Sequence, residues 1–149
     1  MTKQELLQQV FHQYQEAHGG VPHGTDVVVA WAVKNGLLEL PDIDPAAVLA
    51  DTMAQALRNE YATDPATGRR YRKNHARRVM RRGVQIGWVW AEIHSAPRDH
   101  MVASFQGRRK QIVGDCLQLR VDVDAYNARS QDQEPIQMVL DFTNDVEEA

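Results

Sequence analysis

Fifteen residues, GRRYRKNHARRVMRR from Gly68 to Arg82, set the strongest limit on how this chain can fold. They hold eight of its 17 Lys and Arg residues, and no Asp or Glu falls between Asp64 and Glu92. Like charges at this density are not buried without partners, so the segment has to lie at a surface. The stretch that follows, VQIGWVWAEIH, is its opposite. Val84, Ile86, Trp88 and Trp90 alternate there, the period of a half-buried strand. Arg81-Arg82-Gly83 between the two reads as a tight turn. The pattern predicts a β-hairpin with a basic strand over Arg70–Met80 and an apolar, aromatic strand over Val84–His94. Trp88 and Trp90 would share its inner face as core.

Three helices are predicted before the hairpin. Thr2 with Glu5 is a capping box, and Leu6, Leu7, Val10, Phe11, Tyr14 and Ala17 recur at helical spacing until Gly19-Gly20. Thr25 can cap a short second helix, DVVVAWAVKNG, apolar nearly all round and therefore expected to be buried, with Trp31 in the core. Asp44 and Pro45 open a third helix with Leu49, Met53, Ala56, Leu57 and Tyr61 on one face, ended by the turn chemistry of DPATG. After the hairpin, Ser95 and Pro97 start a long helix reaching about Arg129. Its stripe is Met101, Phe105, Ile112, Cys116, Leu119, Val123 and Tyr126, and roughly 33 residues at about 1.5 Å each make a rod near 50 Å. Four of these positions are spaced by seven, which points to helix–helix packing within the chain or across a homodimer formed through residues 97–129. SQDQEP then links to IQMVLDF and an acidic end. The fold class expected is α+β, with a body over 1–94, the long helix over 95–129 and a tail over 130–149 containing a short extended segment.

The chain is formally acidic at −3, so its basic block is a local feature. Residues 69–110 carry 12 Lys and Arg against Glu92 and Asp99, whereas 115–149 carry nine Asp and Glu against Arg120 and Arg129. A charge-blunted sheet edge needs only one or two lysines. Eight cations in 14 residues, seven of them Arg, fit a polyanion instead, because guanidinium forks bind phosphate oxygens bidentately. Arg69, Arg70, Arg72, Lys73, Arg77, Arg78, Arg81 and Arg82 are the candidate contacts, with His75 among them. An acidic protein, or this chain's own acidic tail, is the competing partner. The lone Cys116 makes no internal disulfide, which favours a reducing, cytoplasmic setting, and no apolar run approaches membrane-spanning length. The six His residues form no metal-ligand spacing, and no nucleophile elbow or phosphate-cradling loop is present. The sequence therefore indicates no enzyme, no metal and no cofactor.

The order of three helices and a hairpin resembles that of winged-helix DNA-binding domains, over residues 3–94. That resemblance implies duplex DNA as partner, with Gln55, Arg58 and Asn59 on the third helix facing the groove and the hairpin on the backbone. It differs in one respect: Asp51 and Glu60 oppose Arg58, so the third helix is not electropositive and the hairpin has to supply most phosphate contacts. The function expected is nucleic-acid binding, in a regulator or accessory factor of a bacterial mobile element, which the chain resembles in general character. Gln137, Met138, Leu140 and Phe142 resemble the hexapeptide by which bacterial polymerases and repair proteins dock on the sliding clamp. This implies an adaptor whose extended tail places apolar anchors in a groove. The strict alternation of Ile136, Met138, Leu140 and Phe142 equally fits a half-buried strand.

Overall fold

A computed structural model describes every residue from Met1 to Ala149. The chain is α+β, in the order α1 (Lys3–His18), α2 (Thr25–Lys34), α3 (Pro45–Arg58), β1 (Tyr61–Thr63), β2 (Arg70–Arg72), β3 (Asn74–Arg81), β4 (Val84–Glu92), α4 (Arg98–Arg129) and α5 (Thr143–Glu147). It divides into two compact units, Met1–Ala50 and Asp51–Ala149, so the boundary falls inside α3. This differs from the expected division after residue 94, because α4 is packed onto β3 and belongs with the hairpins.

In the first unit α1 begins with the anticipated capping box. The Glu5 amide donates to Thr2 Oγ1 at 3.1 Å, and Glu5 Oε2 accepts from the Thr2 amide at 2.6 Å. Those bonds favour the ionised carboxylate and hold Glu5 below its usual range. The helix stops at Gly19, whose φ of 74° suits a residue without Cβ. The N-cap of α2 is Gly24 and not Thr25, which occupies the first helical position without a side-chain cap. Nor is α2 the buried central helix its composition suggested. Only Val28 and Ala32 are buried, and Val27 and Val29 face solvent. The reason is that this unit pairs two helices along one seam: Val10, Tyr14, Val28 and Ala32 fill it, and nothing covers the far side of α2. Trp31 is half-buried, edge-on to Tyr14 with ring centroids 5.3 Å apart.

The second unit contains two antiparallel hairpins where the sequence suggested one. Asp44 starts α3 by accepting from the Ala46 amide at 3.0 Å, but the helix ends at Arg58, and Tyr61 opens β1. The loop between β1 and β2 is built locally. Asp64 Oδ1 accepts from the Ala66 amide, the Gly68 amide donates to the Asp64 carbonyl, and Gly68 takes a φ of 71°. This short hairpin pairs Tyr61 with Arg72 and Thr63 with Arg70. Lys73 lies outside both strands, so the expected strand over Arg70–Met80 becomes β2 and β3. The β3–β4 turn is two residues long, Arg82 and Gly83, both at positive φ (51° and 77°), as a type I′ turn requires.

A bulge interrupts this longer hairpin. Val79 lies opposite Gly87 and Met80 opposite Gln85, leaving Ile86 as the extra residue. The alternation read from Val84 to Trp90 therefore does not bury one face. Trp88 is 57% exposed and Val84 and Ile86 are exposed as well, which corrects the expectation that Trp88 is core. The cause is where α4 docks: it packs on β3, leaving that part of β4 open. His100, Met101 and Ser104 are the buried residues of α4, and they sit on β3. His100 Nε2 donates to the His75 carbonyl at 2.8 Å and Ser104 Oγ to the Ala76 carbonyl at 2.7 Å.

Beyond that seam α4 runs on with its heptad positions open. Ile112, Leu119 and Tyr126 are exposed, as are Val113, Leu117 and Val121 on other faces of the rod. Residues 136–142 pair with no strand, contrary to the expected half-buried strand. The segment is tied at its start by Asn127, whose side chain both donates to the Ile136 carbonyl and accepts from the Ile136 amide. No helix is long and apolar enough to cross a membrane.

Candidate nucleic-acid interface

The β3–β4 hairpin and α4, with Arg72 of β2 and the end of α3, line an open groove within the second unit. One part, about 510 Å³, lies between Arg77, Arg78 and Trp88 on the hairpin and Gln106, Arg108 and Lys110 on the helix. The adjoining part, about 470 Å³, runs past Trp90 to Arg58, Arg72 and Asn74. The two share Ala76, Trp88, Ser104, Arg108 and Gln111, and are therefore continuous.

Each element contributes for a local reason. In antiparallel pairing Arg78 stands opposite Trp88, which sets a cation beside an indole across the ladder, while Trp90 stands opposite the small Ala76. On α4, His100, Ser104, Arg108 and Gln111 follow helical spacing, so the face that docks on β3 also turns Arg108 and Gln111 toward the groove. The docking side chains are buried, and the next turn of the same face is the groove wall.

The electrostatics are one-sided. Arg58, Arg72, Arg77, Arg78, Arg108 and Lys110 line the groove, against Asp51 at one end. The sole ion pair in the chain joins Arg77 to Asp99 at 3.7 Å, with Asp99 81% exposed. Exposed pairs of this kind contribute roughly 0–1 kcal/mol and leave Arg77 free to exchange partners. No carboxylate of residues 115–149 forms an ion pair with a groove cation.

The predicted contacts are distributed over several places. Arg72, Arg77 and Arg78 line the groove. Arg70 lies over the Tyr61 ring at 4.8 Å on the short hairpin, close to Arg69 at its loop. Lys73 sits between the hairpins, and Arg81 and Arg82 form the exposed tip. His75 borders the second part of the groove but is almost inaccessible there. It is 5% exposed, its Nε2 donates to the Arg72 carbonyl, and its ring meets Phe105 edge-on. Burial holds its pKa below 6.5, with the Arg72 carbonyl bond opposing that shift, so the ring is a neutral packing element. On α3, Arg58 contacts both Gln55 and the face of Trp90, at 5.5 Å from the ring centroid, while Asn59 is exposed just beyond the helix.

Two groove cations, Arg108 and Lys110, belong to the Arg108-Arg109-Lys110 cluster at the end of the basic stretch 69–110, which on the sequence either extends the patch or faces solvent, whereas the open Trp88 is expected there as core. A signal for Arg108 existed, since it follows Ser104 by one helical turn. It carries weight only once Ser104 is known to be buried. Of the C-terminal residues, Gln137, Met138 and Phe142 are exposed and Leu140 is half-buried. No three or more His, Cys, Asp or Glu residues come together as a metal site would need. No family model, curated protein or solved structure matches the chain.

Proposed function

We propose that this chain is a nucleic-acid-binding protein whose groove between the β3–β4 hairpin and α4 holds a sugar–phosphate backbone. The observation that carries this reading is the convergence of Arg72, Arg78, Arg108 and Lys110, from three separate elements, without a carboxylate paired to any of them. Holding like charges together costs free energy unless an anion arrives, and phosphate contacts repay it by releasing condensed counterions. Arg69, Arg70, Arg81 and Arg82 lie outside the groove and extend the cationic surface toward a longer ligand. A salt titration of binding tests the proposal. Each lost phosphate contact lowers the slope of log K against log salt by about 0.7 for a single strand or 0.9 for a duplex. The Arg72→Ala/Arg78→Ala/Arg108→Ala variant is therefore expected to bind more weakly, with a slope shallower by about 2–3. An unchanged slope, or no binding by the natural protein at low salt, would refute it.

A second reading concerns the tail. Residues 136–142 belong to no helix or strand, with Gln137, Met138 and Phe142 open to a partner. That is the posture a docking peptide adopts, and it supports an adaptor that engages a sliding clamp through these side chains. In a pull-down with the clamp, Gln137→Ala/Leu140→Ala should abolish capture, and capture equal to that of the natural chain would end the idea.

A further inference from the structure

We infer that the groove takes a single-stranded segment of nucleic acid, with one base stacked on the Trp88 indole and phosphates held by the cations on either side. This rests on the proposed nucleic-acid reading and narrows it, since the resemblance in element order had pointed to duplex DNA.

The aromatic side chains of the hairpins separate into those already engaged and one that is not. Tyr61 lies under Arg70, Trp90 under Arg58, and Tyr71 meets His94 both edge-on and through a hydrogen bond at 3.2 Å. Trp88 faces no other ring and no cation at close range, although Arg78 is its cross-strand neighbour. More than half of its surface is open, in the region shared by both parts of the groove. A large indole left uncovered in a cationic trough lacks only a flat, apolar partner that brings negative charge with it. A nucleobase on its phosphate chain is that partner, because every base offers a π-face and stacking tolerates any sequence.

Duplex nucleic acid fits the same surface less well. Its base faces are occupied by one another and its phosphates lie outside, so it satisfies the arginines and leaves the indole uncovered. The charge layout also suits a strand that crosses the indole. Arg77, Arg78 and Lys110 lie on one side, Arg58 and Arg72 on the other, and Arg108 borders both parts. A backbone passing from one set to the other brings a base over Trp88. Asn74, Gln85 and Gln111 line the same groove as neutral hydrogen-bonding groups for base edges. Single-stranded DNA and RNA share this chemistry.

The test is fluorescence anisotropy with the full chain and labelled oligothymidine, oligouridine and a duplex of equal length, comparing the natural protein with Trp88→Thr and Trp88→Phe. Threonine keeps strand propensity while removing the ring, and an unchanged far-UV circular dichroism spectrum verifies the hairpin. The natural protein should bind single strands more tightly than the duplex. Trp88→Thr should weaken single-strand binding about 5- to 150-fold, the range of one base–aromatic stack, with Trp88→Phe retaining most of the affinity and duplex binding unmoved. Binding of either the thymidine or the uridine oligomer with this dependence on Trp88 supports the site. Single-strand affinity within twofold of natural in Trp88→Thr overturns the inference while leaving the wider reading intact, provided nucleic acid is bound. Equal competition by heparin, a polyanion without bases, overturns it as well. Absence of binding to every nucleic acid instead removes the proposed function itself.

Discussion

The groove exists only while α4 stays docked on β3, and that docking rests on few side chains. His100 and Ser104 are 6% and 3% exposed and donate to the carbonyls of His75 and Ala76 at 2.8 and 2.7 Å, one helical turn apart. Ser104→Ala removes one hydrogen bond from a nearly buried side chain at the edge of the groove, which costs about 1 kcal/mol. His100→Ala removes a similar bond together with a buried ring and should cost about 2 kcal/mol. The two losses should not add. Once either bond is gone the helix can lift, and the second change meets a weaker contact, so the double variant should lose at least about 0.5 kcal/mol less than the sum of roughly 3. Urea unfolding followed by tryptophan emission in a Trp31→Phe background measures this, since Trp88 and Trp90 then report on the second unit alone. Both single variants within about 0.3 kcal/mol of the natural protein would show that this seam does not hold α4, and the groove assignment would fail with it.

Other consequences can be checked on the same material. His75 is held below its ordinary pKa of 6.5 mainly by burial, so near that pH the unfolded chain binds a proton that the folded chain resists. Stability should therefore rise with pH up to about 6.5 and level off above it as far as this residue is concerned. In urea melts between about pH 5 and 8, His75→Gln should flatten that rise, and an identical pH profile would contradict the assignment. At the hairpin tip, Gly83→Ala should destabilise the second unit by about 1–2 kcal/mol, because φ of 77° crowds a Cβ against the following carbonyl. Arg82→Asn should leave it equal or slightly more stable, since Asn tolerates φ near 51° better than Arg. Thermal melts distinguish the two outcomes, and a neutral Gly83→Ala would show that the turn is not type I′. In the first unit, Thr2→Ala removes the hydroxyl that accepts from the Glu5 amide and leaves only the backbone half of the capping box, and should lower the melting temperature followed at Trp31.

Local chemistry was legible in the sequence wherever the interacting atoms are near neighbours along the chain. The Thr2–Glu5 box, the Asp44–Pro45 start, the Asp64–Gly68 loop and the Arg82-Gly83 turn each close through contacts spanning a few residues. The long helix was legible for the same reason, with its end at Arg129 as read. The density of cations between Arg69 and Arg82 likewise requires a surface location on solvation grounds alone.

The tertiary structure decided what faces what. A single unpaired residue, Ile86, shifts the strand register, and with α4 seated on β3 it leaves Trp88 open instead of buried. His75, indistinguishable by charge pattern from the arginines around it, is withdrawn into the seam beneath Phe105. Arg108 and Lys110, distant in sequence from the basic hairpin, are brought to it by the helical face that buries His100 and Ser104. Sequence alone determined the four longer helices, the turns and the exposed basic surface, because hydrogen bonding between neighbours and charge solvation are local properties. Only the fold could assemble the groove, because its walls come from segments about 30 residues apart and strand register is set by pairing across the ladder.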